Sequence, residues 1–249
     1  MTRKTRFKAS GRRDIWVAGA CLVGLVVLGI ASQADAQTAA EPSSPSIAWN
    51  VAASSDYVFR GVSQTEEDAA ISGGVDLTSG SFYAGAWASN VAFPGDPDTN
   101  AEIDAYAGVR PEFAGWNWDF GAVGYFYTGQ PSGADYDYVE AKVAASRAFG
   151  PATIGAAVYW SPDFFGAAED EATYVEANAS FSPADRWTVS GVIGRQFLSS
   201  DFDHTTWNLG AARQLTDNLA VDVRYHDTDE HGFGDIYGGR AVVSLKAAF

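Results

Sequence analysis

"GGRAVVSLKAAF" occupies residues 238–249, and its alternation decides how the rest of the chain is read. In an extended strand successive side chains point to opposite faces. One face carries Tyr237, Gly239, Ala241, Val243, Leu245, Ala247 and Phe249, apolar to the last residue. The other carries Arg240 and Lys246 among Gly238, Val242, Ser244 and Ala248. Chain ends of soluble domains usually fray into polar residues, whereas this apolar face runs on to an aromatic ring.

The same period recurs from Ile47 onward in twelve runs: 47–60, 69–77, 82–91, 101–110, 116–127, 137–148, 152–160, 172–181, 187–197, 204–215, 219–226 and 236–249. Several have one continuous apolar side, as in Ala101/Ile103/Ala105/Ala107/Val109 and Ala152/Ile154/Ala156/Val158/Trp160. No helical pattern of ten or more residues competes. The connectors alternate in kind. Segments 78–81, 111–115, 149–151, 182–186 and 216–218 are short; 61–68, 92–100, 128–136, 161–171, 198–203 and 227–235 are mostly longer. The six longer segments hold sixteen Asp or Glu and no Lys or Arg. Short turns at one end and long loops at the other are the arrangement of a membrane barrel.

Aromatic residues gather at strand ends. Trp116, Trp118, Phe149, Phe181, Trp187 and Phe249 lie toward the short turns. Tyr57, Phe59, Tyr125, Phe126, Tyr127, Tyr159, Trp160, Phe197, Trp207, Tyr225 and Tyr237 lie toward the long loops. Small and aliphatic residues lie between. Rings of this kind suit the headgroup level, and closure is compulsory in lipid because an open edge leaves unpaired backbone groups. The expected fold is all-β: a twelve-stranded antiparallel transmembrane β-barrel over 47–249, with short periplasmic turns and longer acidic extracellular loops. The alternative is a soluble sandwich or lipocalin-like barrel with the apolar faces inward.

Residues 1–36 read as a secretory signal peptide. Six basic residues precede an apolar run from Ile15 to Ala31, and "ADA" at 34–36 offers a cleavage site after Ala36. Its removal leaves ten of the 16 Lys/Arg and 29 of the 31 Asp/Glu, a net charge of −19, and takes away Cys21, the only cysteine. A thiol-free chain suits an oxidising compartment, and so acidic a chain is a poor nucleic-acid binder. Residues 37–46 form a polar lead-in. The expected location is the bacterial outer membrane of a Gram-negative cell.

Parity places a polar set toward the lumen: Asp56, Asp76, Glu102, Asp104, Asp119, Glu140, Glu176 and Asp222, with Arg60, Arg110, Lys142, Arg224, Arg240 and Lys246. These are pore-lining candidates in a hydrated channel; a narrow barrel filled by internal ion pairs is the alternative. Arg60 ends "DYVFR", whose Tyr57 and Phe59 are expected to face lipid, so Arg60 turns inward. It is either a fixed cation at the mouth or the partner of Asp56. The acidic loops would concentrate cations, or bridge through Ca²⁺ or Mg²⁺ to lipopolysaccharide, or simply be solvated. A hydrolase reading rests on "YHDTDEH" (225–231) and "DFDH" (201–204), where His204, His226 and His231 neighbour Asp201, Asp203, Asp227 and Asp229. No serine motif accompanies them. No cofactor is expected, and the same histidines are the alternative metal ligands.

"SSDYVFRGVSQTEEDAAISGGVDL" (54–77), with "SFYAGAWASNV" (81–91) and "EIDAYAGV" (102–109), resembles the TorF-type porin family of proteobacterial outer-membrane proteins. The likeness extends over nearly all of 47–249. It implies an outer-membrane barrel with a pore function for small hydrophilic solutes or ions, and no catalytic residues. A terminal Phe249 behind Val243 and Leu245 is similar to the signal by which such proteins reach the barrel-assembly machinery. The expected function is therefore a porin for small solutes, cation-preferring, with a non-conducting structural or surface-interaction barrel as the alternative.

Overall fold

A computed structural model describes residues 44–249 except 168 and 200. The signal peptide expected over 1–36 and most of the lead-in lie outside them. Twelve long strands make the wall: β1 (Ser46–Ser54), β2 (Ala70–Ser79), β3 (Phe82–Asn90), β4 (Ala101–Val109), β5 (Trp116–Thr128), β6 (Tyr138–Phe149), β7 (Ala152–Ser161), β8 (Ala172–Ala184), β9 (Trp187–Phe197), β10 (His204–Gln214), β11 (Leu219–Thr228) and β12 (Arg240–Ala248). Each pairs antiparallel with its neighbours in sequence, and β12 pairs with β1, so the barrel is closed and has no free edge. At the seam Trp49 and Phe249 exchange both backbone hydrogen bonds, at 3.0 and 2.9 Å.

The faces sort as the alternation predicts. Ile47, Trp49, Ile71, Ile103, Val158, Leu209, Val243 and Leu245 stand on the outer surface, with Leu209 63% and Phe249 70% exposed. Buried Asp76, Glu102, Asp104, Glu140, Lys142 and Arg224 stand inside. A soluble barrel would reverse these two sets. Among the described residues no helix is long and apolar enough to cross a membrane; the only helices are single 3-10 turns at His231–Phe233 and Asp235–Tyr237.

Three expectations fail locally. The run at 47–60 is not one strand: β1 ends at Ser54, and short strands Val58–Phe59 and Val62–Ser63 form a separate hairpin. The last run begins at Arg240 rather than 236, because a 3-10 turn occupies Asp235–Tyr237. The loop-side aromatic belt is thinner than expected. Phe126, Trp160, Phe197, Trp207 and Tyr225 do face outward, but Tyr57, Tyr125, Tyr127 and Tyr159 are buried and Phe59 packs against them inside. Tyr237 also turns in, its ring 5.3 Å from His204. These tyrosines carry a hydroxyl, which a polar interior can satisfy and a hydrocarbon exterior cannot. Gly85 and Gly108 make room for two more: a Cβ at either would stand 2.5 Å from the ring of Tyr106 or the hydroxyl of Tyr83.

Candidate channel lumen and its infolded hairpin

The segment between β1 and β2 does not extend away from the barrel. It folds into the lumen, and its tip is the pair Arg60–Gly61, with φ of 47° and 86°. Positive φ at both central residues is what a type I′ two-residue turn demands. Gly61 suits it. Arg60, an L residue with a Cβ, does not. The Gly61 position is also crowded, since a Cβ there would collide with Thr206 of β10 and come within 2.6 Å of Thr228 of β11. Gly61 thus packs on β10 and β11, two to three strands round the barrel from β1, while the Arg60 side chain crosses the lumen to the facing wall.

At that wall Arg60 is held tightly. Its two terminal nitrogens donate to both oxygens of Glu140, each at 2.8 Å, and one donates to Gln196 Oε1 at 3.0 Å. The guanidinium carbon lies 4.3 Å from the ring centroid of Tyr174, 5.0 Å from Tyr159 and 4.6 Å from Phe59. Tyr125 donates its hydroxyl to Glu140 at 3.1 Å. The side chains of Arg60 and Glu140 are 7% and 1% exposed. Charge-assisted bidentate pairs of this kind are the strong ones.

The expected Asp56–Arg60 pair does not form. Asp56 serves the root of the hairpin instead: it accepts from Ser63 at 2.7 Å, Thr65 at 2.9 Å and Arg240 at 3.1 Å, while Arg240 also reaches Glu67 at 3.4 Å. The reason lies in the turn: residues 55–69 leave the strand direction, so the parity that put Asp56 and Arg60 on one face no longer applies.

Beneath the hairpin lies an acidic layer. Tyr57 donates to Glu102 at 2.7 Å. Asp104 is fully buried, and neither of its carboxylate oxygens has a hydrogen-bond partner. Toward the turns the polar groups pair off. Asp119 accepts from Lys142 at 2.8 Å, Arg110 at 3.1 Å and Tyr83 at 2.7 Å. Arg224 donates to Asp222, Asn208 and Ser190, and Asp76 accepts from Tyr106 at 2.6 Å. Asn178 donates to Glu176 at 3.2 Å, and Lys246 is half-buried on the inner side of β12. The charged residues that sequence parity sends inward thus lie inside. Parity does not reveal which of them the hairpin covers.

The histidines do not converge. His204 Nε2 lies 3.2 Å from the Arg60 carbonyl and Nδ1 3.1 Å from that of Phe202. Asp203 turns to the Leu198 N–H and to Arg195. His231 pairs with Asp227 at 2.7 Å on the surface, and His226 is buried separately on β11. Among the described residues no three His, Cys, Asp or Glu group as metal ligands. Gln196, Asn208 and Ser190 escaped the sequence reading because neutral residues carry no charge signal.

Solved structures with this architecture include the KdgM porin, with a TM-score of 0.58 at 9% identity over 81% of this chain and 99% of that one. The KdgM porin in complex with disordered oligogalacturonate gives 0.56 at 9% over 82% and 98%. A rhombohedral crystal form of the NanC porin gives 0.53 at 10% over 82% and 98%. Identities this low establish the fold alone. No curated protein sequence matches, and no finding carries the TorF-type designation. A family model does match residues 39–249, and through it the chain belongs to the family described as "Bacterial protein of unknown function (Gcw_chp)".

Proposed function

We propose that the protein is an outer-membrane channel for small hydrophilic solutes, preferring cations. The observation that carries this reading is the inverted distribution of polarity: leucine, isoleucine, valine and tryptophan outside, carboxylates, guanidiniums and hydroxyls within. Such a surface suits hydrocarbon, and a closed barrel leaves no backbone group unpaired in it. A cleavable leader at 1–36 and an outward row of Val243, Leu245 and Phe249 for an assembly machinery to read fit the same location, as do acidic loops facing lipopolysaccharide.

The cation preference rests on the loops, whose sixteen carboxylates include no compensating Lys or Arg. Fixed charge at a mouth raises the local counter-ion concentration within roughly 8 Å at physiological ionic strength. Among those outside the strands, Asp96 and Asp229 are held below the usual carboxylate range. Asp96 accepts from the Thr99 hydroxyl and from two backbone N–H groups. Burial pushes Asp229 up, but the Thr205 N–H and hydroxyl and nearby Arg195 outweigh it. Both therefore stay charged to lower pH than a free carboxylate, and the part of the cation preference that they supply should be lost only below that range. An oligogalacturonate, found with the KdgM porin, is anionic, and such a mouth would repel it.

Planar-bilayer recording of the refolded protein tests the proposal. Discrete openings, with a reversal potential displaced toward the cation and relaxing as pH is lowered, are expected. One observation favours a second reading, a non-conducting barrel: the hairpin packs into the loop-side lumen against a cluster of buried rings that includes Tyr57, Tyr125 and Tyr138. Silence in several salts would select it.

A further inference from the structure

The surroundings of Arg60 are those of a receptor for a guanidinium group, with the chain supplying its own ligand. Five groups converge on one planar cation. Glu140 offers two oxygens at 2.8 Å, Gln196 a third at 3.0 Å, and Tyr159 and Tyr174 close over the guanidinium at 5.0 and 4.3 Å from their centroids. All four residues belong to the rigid wall, on β6, β9, β7 and β8, and all are buried. Tyr125 on β5 fixes the Glu140 carboxylate from behind at 3.1 Å. Two parallel bonds to a carboxylate select a planar fork over a point charge, and aromatic rings add cation–π attraction.

The ligand is tethered by a turn that resists its own geometry. Arg60 sits at φ 47°, a region costly for a residue with a Cβ, and backbone strain of this kind persists where the surroundings over-determine it. The root of the hairpin is anchored through Asp56, Ser63, Thr65 and Arg240, contacts separate from those that hold the Arg60 guanidinium. Release would leave Glu140 beside Glu102 and Asp104, and Asp104 already lacks any hydrogen-bond donor. The exposed layer would then be strongly attractive to a cation, and the acidic loops stand above it.

We propose that the Glu140–Gln196–Tyr159–Tyr174 pocket is a binding site for small guanidinium-bearing solutes, and that Arg60 is a tethered stand-in which such a solute displaces. This rests on the channel reading, because it names the solute class that would pass the constriction. Binding itself needs no conduction.

The test uses the full barrel folded in detergent, with methylguanidinium as probe and methylammonium as control. In Arg60→Ala the vacated pocket should bind methylguanidinium at least about tenfold more tightly than methylammonium, the ratio expected when one charge-assisted hydrogen bond is lost. Binding is read by calorimetry and by a rise in the temperature at which the barrel loses its fast-migrating form on gels. Adding Glu140→Gln should abolish the difference. Equal responses to the two probes, or a methylguanidinium response that survives Glu140→Gln, would overturn the proposal. If Arg60→Ala does not fold alone, refolding it in either probe becomes the assay: recovery in methylguanidinium only supports the site, and failure in both overturns it. Selective binding in a barrel that stays silent in bilayers would remove the channel reading and leave the site standing; conduction without selective binding would do the reverse.

Discussion

At its loop end the lumen is filled by Tyr57, Tyr125, Tyr127, Tyr138 and Tyr159 around buried carboxylates and Arg60. Toward its turn end, outside the cluster of Asp119, Lys142, Arg110 and Tyr83, the inward positions include Ala48, Ser146, Thr153, Ser180, Thr188 and Ala220, all only half-buried. The same strands build both ends, so the wall does not explain the difference; the inserted hairpin and the large side chains it packs on do. One end resembles a protein core with a buried ion pair at its centre, and stability should concentrate there. The other has small side chains at many of its inward positions beside one ion-paired cluster, and the space available to solutes should concentrate there.

Three substitutions would break or sharpen this contrast. Glu140→Ala removes the partner of a buried guanidinium and should destabilise the barrel by about 3–5 kcal/mol, since an uncompensated buried charge remains; urea unfolding followed by tryptophan fluorescence measures it. A loss below about 1 kcal/mol would mean that the loop end is wet rather than core-like. Gly61→Ala places a Cβ at φ 86° against Thr206 and Thr228 and should cost roughly 1–3 kcal/mol, with a larger loss of order in the hairpin than in the wall by hydrogen exchange. Ser180→Trp, at the turn end, should change stability by no more than ~0.5 kcal/mol while lowering single-channel conductance. If it destabilises as much as Glu140→Ala does, the two ends are not distinct.

Much of the barrel was legible because period-two alternation is a direct record of which face meets which medium. Most strand positions, the alternation of turns with loops, and the inward set from Asp76 to Lys246 follow from it. The hairpin did not follow, although "VFRGVS" (58–63) has Arg–Gly between β-branched and aromatic neighbours, a tight-turn signal inside what reads as one continuous strand. Alternation continues through a turn of two residues, so the pattern concealed the break. The inward tyrosines were misread for a related reason: a tyrosine at a strand end suits either an interfacial belt or a polar lumen, and only parity separates them. Tyr106, on the face of β4 that carries Glu102 and Asp104, shows that parity was the better guide.

The order in which the plug and its socket are made has a consequence for biogenesis. Arg60 is separated from Glu140 by 80 residues and from Gln196 by 136, so the stopper emerges long before the receptor that neutralises it. Closure of the first strand against the last has to leave that segment on the inside. The slowest stage of folding should be the capture of that segment, and a barrel that zips shut too early would trap it on the wrong side.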